Sequence, residues 1–183
     1  EIGWMMDYLR VLDNYRQDLP LTAVLKSPFG KFTNEELASI RNLYPELSFH
    51  EAVLLASDCN LSLPYKKKKV PEVLAEKLQR VFRHLEHFRA QVSYMAIHNL
   101  LWNIMRETGF WEEIAAMPGG EQRTANLEML VNKAKAFEST SYKGLFHFVR
   151  YVEQLKEYNI DYGEADIFNE NTDAVRVMSI HKS

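Results

Sequence analysis

The chain has 183 residues, 46% of them hydrophobic and 26% charged, with a formal net charge of −3. That is enough chain to bury a core as one domain, with or without an appendage, and the balance excludes a globally basic nucleic-acid binder while leaving room for a local basic patch. Cys59 is the only cysteine, which excludes an intramolecular disulfide and a cysteine-based zinc site, and no apolar run approaches the roughly 20 residues that span a bilayer.

The first residues, Glu1-Ile2-Gly3-Trp4, carry no initiator Met and no signal-peptide pattern, as expected of a piece of a longer chain. Met5, Leu9 and Leu12 have helical spacing. Pro20 predicts the start of a second short helix, Leu21 to Lys26, because proline loses nothing in a first turn. Ser27-Pro28-Phe29-Gly30 then breaks the chain. Two capping boxes follow, Thr33 with Glu36 and Ser48 with Glu51, and they predict helices over Asn34 to Leu43 and Phe49 to Ala56.

Beyond the Pro64–Pro71 connector, Leu74, Leu78, Val81, Leu85, Phe88 and Val92 recur four and three apart, a continuous apolar stripe that Phe82 widens. Ser93 is expected to cap a helix from Tyr94 to Glu107 that ends at Gly109. Pro118-Gly119-Gly120 is a turn, Glu121 to Phe137 a helix, and Gly144 to Tyr158 the last long one, with Leu145, Phe148, Val149, Val152 and Leu155 inward. Asn159 to Thr172 is polar and irregular, and Ala174 to Ile180 reads as a lone strand. Such a strand cannot satisfy its own amides, so it is expected to belong to a sheet elsewhere. The expected fold is all-α, with one terminal strand. Charge is polarised along it: Lys66 to Gln91 holds eight Lys or Arg against three Glu, and Tyr151 to Asp173 holds seven acids against Lys156 alone.

The residue chemistry carries no catalytic constellation. Gly30-Lys31 lacks the upstream glycine of a phosphate-binding P-loop, and Phe32 stands where its hydroxyl would be. No dinucleotide fingerprint or nucleophile elbow occurs. His84 and His87 stand three apart, but no third metal ligand has a reasoned place, and solvated histidines are the simpler reading. The four lysines Lys66 to Lys69 could grip phosphates, although a run in a Pro-bounded connector is more often a solvated loop. Trp102, Phe110 and Trp111 could stack bases, although aromatics at helical spacing are more often core.

Val175-Arg176-Val177-Met178-Ser179-Ile180-His181-Lys182-Ser183 resembles the start of motif V of UvrD-like superfamily 1 helicases, V-x-[ILV]-M-[ST]-[IL]-H-x-[SA]-K-G-L-E. Leu9-Arg10-Val11-Leu12-Asp13-Asn14 with Gln17-Asp18-Leu19-Pro20-Leu21 is similar to a block of the AddA (RexA) family, the helicase–nuclease components of bacterial AddAB complexes, with Tyr15 where that pattern has Pro. Ala23 to Gly30, Thr33 to Arg41, Glu107-Thr108-Gly109, Pro118 to Leu127 and Gly144-Leu145-Phe146-His147-Phe148 resemble further blocks of the same family.

The resemblance implies a helical 2B domain inserted into a RecA-like domain, 2A. Residues 1–17 would be the departing 2A helix, 18–173 the 2B insertion, and 174–183 the returning strand that starts motif V. It implies no catalytic residue within the chain. Ser179 and His181 would contact the phosphates of the tracked strand. Ser27, Gly30 and Lys31 lie where relatives carry a glycine turn that grips duplex DNA, although Thr33 replaces the final glycine and the basic residue is displaced. ATP and Mg would belong to the remaining helicase domains. The implied partners are DNA and an AddB-like subunit, without a membrane, in a bacterial cytoplasm. Two other readings stay open: a free-standing helical protein-interaction module, whose long stripe binds a partner helix, and a UvrD-like helicase without a nuclease.

Overall fold

The computed structural model describes residues 1–57, 68–140 and 143–157. Every regular element among them is an α-helix. In chain order these are α1 (Ile2–Asp13), α2 (Asp18–Lys26), α3 (Asn34–Leu43), α4 (Phe49–Ala56), α5 (Glu72–Gln91), α6 (Ile97–Glu107), α7 (Phe110–Ala115), α8 (Gly120–Glu138) and α9 (Leu145–Glu157). The expected strand at 174–180 lies outside the described residues.

The core is organised around α1. Met5, Met6, Tyr8, Leu9, Val11 and Leu12 are all buried, because they cover more than one face of the helix. It packs against α2, α5, α8 and α9. On one side α2, α3 and α4 form a small cluster, and on the other α6, α7 and α8 pack on one another. The 20-residue α5 connects the two, touching α1, α4 and α6. Its stripe, Leu74, Leu78, Val81, Phe82, Leu85 and Phe88, is therefore covered by the chain's own helices. Each such side chain contributes about 1.5–3 kcal/mol when removed from water.

The helix ends show where local rules hold. At α3 the Thr33 amide donates to the Glu36 carboxylate at 2.8 Å and the Glu36 amide donates back to Thr33 Oγ1 at 3.2 Å. At α4 the Glu51 carboxylate accepts from the Ser48 amide (3.0 Å) and hydroxyl (2.5 Å). Gly109, at φ +71, ends α6 in the left-handed conformation that favours glycine and at once starts the six-residue α7, which the sequence did not predict.

Two starts differ from expectation by more than one residue. Helix α2 begins at Asp18, so Pro20 is its third residue, still inside the first turn where no intrahelical acceptor waits. Helix α6 begins at Ile97, not at Tyr94, and Ser93 does not cap it. Its first amide donates instead to Glu138 of α8, at 2.6 Å.

Candidate nucleic-acid contact loop

Of the five candidate contact residues, Ser179 and His181 lie outside the described residues. The other three share the turn that joins α2 to α3. Ser27 is buried; its hydroxyl donates to the Val24 carbonyl at 2.7 Å and accepts the Phe29 amide at 3.3 Å. The Ser27 carbonyl accepts the amides of Gly30 (3.1 Å) and Lys31 (2.8 Å), and the Phe32 amide returns to Leu25 at 2.9 Å. A Cβ on Gly30 would lie 2.3 Å from the Leu25 carbonyl oxygen, so this turn closes on the end of α2 only with glycine there. Lys31 follows at φ +58, a left-handed conformation unusual for a residue with a side chain.

Aromatic stacking fastens the turn to the core. The Phe29 ring lies 4.2 Å from Phe110 of α7, with planes 6° apart, and 4.4 Å from Tyr8 of α1. Phe110 is buried by this stack, whereas Trp102 and Trp111 are partly buried and face each other at 5.2 Å. On the outside, Lys77 of α5 donates to the Lys31 carbonyl at 3.0 Å and to both Glu36 oxygens at 2.8 and 2.7 Å. The Lys77 ammonium and the Thr33 amide hold the Glu36 carboxyl below its ordinary range.

The backbone amides of Ser27, Phe29, Gly30, Lys31, Phe32, Thr33 and Glu36 thus all have acceptors within the protein. What the turn offers an incoming anion is the Lys31 ammonium, whose side chain is 58% exposed and which forms an ion pair with Glu113 of α7. Neither Lys77 nor Glu113 was marked by the sequence as part of this site. Each reaches it from more than 40 residues away, so no local spacing could announce it.

Of the remaining sequence candidates, Lys66 and Lys67 lie outside the described residues, while Lys68 and His87 have partners within the protein. Lys68 donates from its amide to the Tyr44 hydroxyl at 2.8 Å and from its ammonium to the Leu43 carbonyl. His87 faces Glu107 at 3.1 Å and Gln91 at 2.8 Å. Burial lowers the pKa of His84, against the raising effect of Glu107. Burial and the charge of Glu107 both push the Tyr8 hydroxyl upward. No group of three His, Cys, Asp or Glu side chains among the described residues is arranged to hold a metal ion.

No protein-family model matches the chain. Curated relatives do, along its whole length. An ATP-dependent helicase/nuclease subunit of Clostridium kluyveri, the AddA component, is 41% identical over 183 residues, covering 100% of this chain and 15% of the relative. The protein of the same name from Desulforamulus reducens is 40% identical over 183 residues, again covering all of this chain and 14% of the relative. That from Lachnoclostridium phytofermentans is 37% identical over 222 aligned residues, 16% of its length. The chain belongs to the AddA family. It spans about 14–16% of the length of these AddA relatives. Among the described residues no helix is long and apolar enough to cross a membrane.

Proposed function

We propose that this chain is the helical 2B-type insertion of an AddA-like ATP-dependent DNA helicase/nuclease acting on DNA ends in double-strand-break repair and recombination. The observation that carries this reading is full-length similarity, at 37–41% identity, to AddA proteins named as ATP-dependent helicase/nuclease subunits. Residues 18–173 form the insertion, 1–17 the helix that departs from the RecA-like 2A domain, and 174–183 the strand that returns to it. ATP, Mg and the cutting chemistry belong to the rest of the enzyme, and no catalytic residue is assigned here. The insertion orients duplex DNA, couples its position to unwinding, and faces an AddB-like subunit in the bacterial cytoplasm.

The Ser27–Thr33 turn is the duplex contact in this reading, and Ser179 and His181 contact the tracked strand. A rigid turn suits the first task. Gly30 and the Phe29–Phe110 stack fix the backbone from which the Lys31 side chain extends, so no loop has to be ordered on binding. Glu113 competes with phosphate for that charge. The test is duplex binding by the chain across a salt series. Lys31→Ala should weaken binding and reduce the slope of log K against log salt by about 0.9, the value of one phosphate contact. Glu113→Gln should strengthen binding by freeing the ammonium. If duplex affinity is the same in both variants, the turn is not the contact.

A further inference from the structure

A different surface carries chemistry that this reading does not use. Helix α9 buries Leu145, Phe148, Val149 and Val152, with Phe148 against Phe137 of α8 at 5.5 Å. Its first two turns point the other way. Phe146, His147 and Arg150 fall within one arc of about 100° on the helix and are all exposed, and Lys143, also exposed, stands just before the helix. Phe146 is 49% exposed, one of few large apolar side chains among the described residues left in water.

These side chains are grouped rather than scattered. The Arg150 guanidinium lies 5.8 Å from the Phe146 ring centroid, and the His147 ring meets Phe146 edge-on at 5.4 Å. No carboxylate among the described residues pairs with Lys143 or Arg150. The next acid on the same face, Glu153, is held by Arg10 of α1 at 2.9 Å. The surface therefore joins two positive charges, without a carboxylate partner among the described residues, to an aromatic ring.

We infer that this stripe docks a nucleic-acid single strand, with a base stacking on Phe146 and phosphates meeting Lys143 and Arg150. An occupant must offer anionic groups and flat apolar faces side by side. A strand with unpaired bases supplies both at every nucleotide, and stacking accepts any base because each has a π-face. An acidic peptide supplies the charge without the faces. Arginine against the same ring adds a second planar surface for a base. The assignment goes beyond the duplex contact proposed at the α2–α3 turn and uses none of its residues.

The experiment is fluorescence anisotropy of labelled oligothymidine with the 183-residue chain, over a salt series. Phe146→Leu should weaken binding about tenfold at every salt concentration and leave the salt slope alone, because it removes stacking and keeps the charges. Phe146→Tyr should restore it. Lys143→Ala with Arg150→Ala should reduce the slope by about 1.4, two single-strand phosphate contacts. Thermal midpoints of all three variants should match the parent, since these side chains are exposed. Unchanged affinity and slope in the Leu and double-Ala variants would overturn the inference, as would absence of binding by the unaltered chain at low salt. Equal competition by polyglutamate would also overturn it and make the partner an acidic peptide. A loss confined to Lys31→Ala on duplex would leave the turn as a contact and remove this one.

Discussion

At Gly30 the cost of a methyl group is steric. No positive φ forces glycine there; the constraint is the Leu25 backbone, with its Cα 2.7 Å and its carbonyl carbon 2.8 Å from a hypothetical Cβ. Backbone atoms at the end of a packed helix cannot step aside as a flexible side chain would. Gly30→Ala should therefore lower unfolding free energy by about 1–3 kcal/mol, the usual cost of overpacking. A urea titration would show this as a lower midpoint at unchanged slope. The strain at Lys31 is separate and conformational, since its φ of +58 belongs to the left-handed region. Ser-Pro-Phe-Gly was legible as a break in the chain and as a glycine turn ahead of a helix. The reason for glycine was not, because it lies in the return of residues 29–32 onto Leu25 and not in any local pattern.

At the scale of elements, the same distinction separates caps that could be read from caps that could not. Thr33 with Glu36 and Ser48 with Glu51 act within four residues, and the helices they start were predicted at their observed bounds. Carboxylates from other helices hold one further helix start, that of α6, and reinforce the start of α4. Glu138 serves α6, taking the Ile97 amide and, at 2.5 Å, the His98 ring. Asp18 serves α4, accepting the amides of Phe49 (2.9 Å) and His50 (3.0 Å) and lying 3.0 Å from His50 Nδ1. Burial pushes the Asp18 carboxyl upward, but the hydrogen bonds from Phe49 and His50 outweigh it and leave it below the ordinary value of 3.8. A depressed carboxyl contributes stability above its unfolded pKa, and that contribution is lost as pH falls through the folded value. Asp18→Ala should cost about 1 kcal/mol near neutral pH, as loss of a cap does. The deficit should shrink as pH drops below 3.8, until variant and parent unfold together. Denaturant midpoints of the two proteins from about pH 7 to about pH 2.5 would check it; a constant gap would mean that Asp18 stabilises α4 by packing and not by charge.

For the molecule as a whole, the sequence displayed most of the helices and their inward faces but not which helix is central. Amphipathic spacing says that Leu74 to Phe88 must be covered; it does not say by what. The cover is shared among α1, α4 and α6, with α1 the largest part, and its apolar residues look ordinary in the sequence yet sit among α2, α5, α8 and α9. The five buried aliphatic side chains of α1, Met5, Met6, Leu9, Val11 and Leu12, are together worth about 8–15 kcal/mol at the usual 1.5–3 each, comparable with the entire stability of a typical domain. Polar contacts add to this. Arg89 of α5 donates to the carbonyls of Val11 (3.0 Å) and Leu12 (3.2 Å), and Arg10 ties the helix to α9 through Glu153. An insertion counted from Asp18 would leave out the element around which it is packed. A chain beginning at Asp18 should thus lose its cooperative thermal transition, while Leu9→Ala in the full chain should keep it at a cost of about 2–5 kcal/mol. Circular dichroism melts of both separate the possibilities. A sharp transition in the shortened chain would show that residues 18–173 fold alone, with α1 an addition from the neighbouring domain. A broad, non-cooperative melt would place the physical start of this unit at α1, whatever boundary the enzyme's domain plan assigns to it.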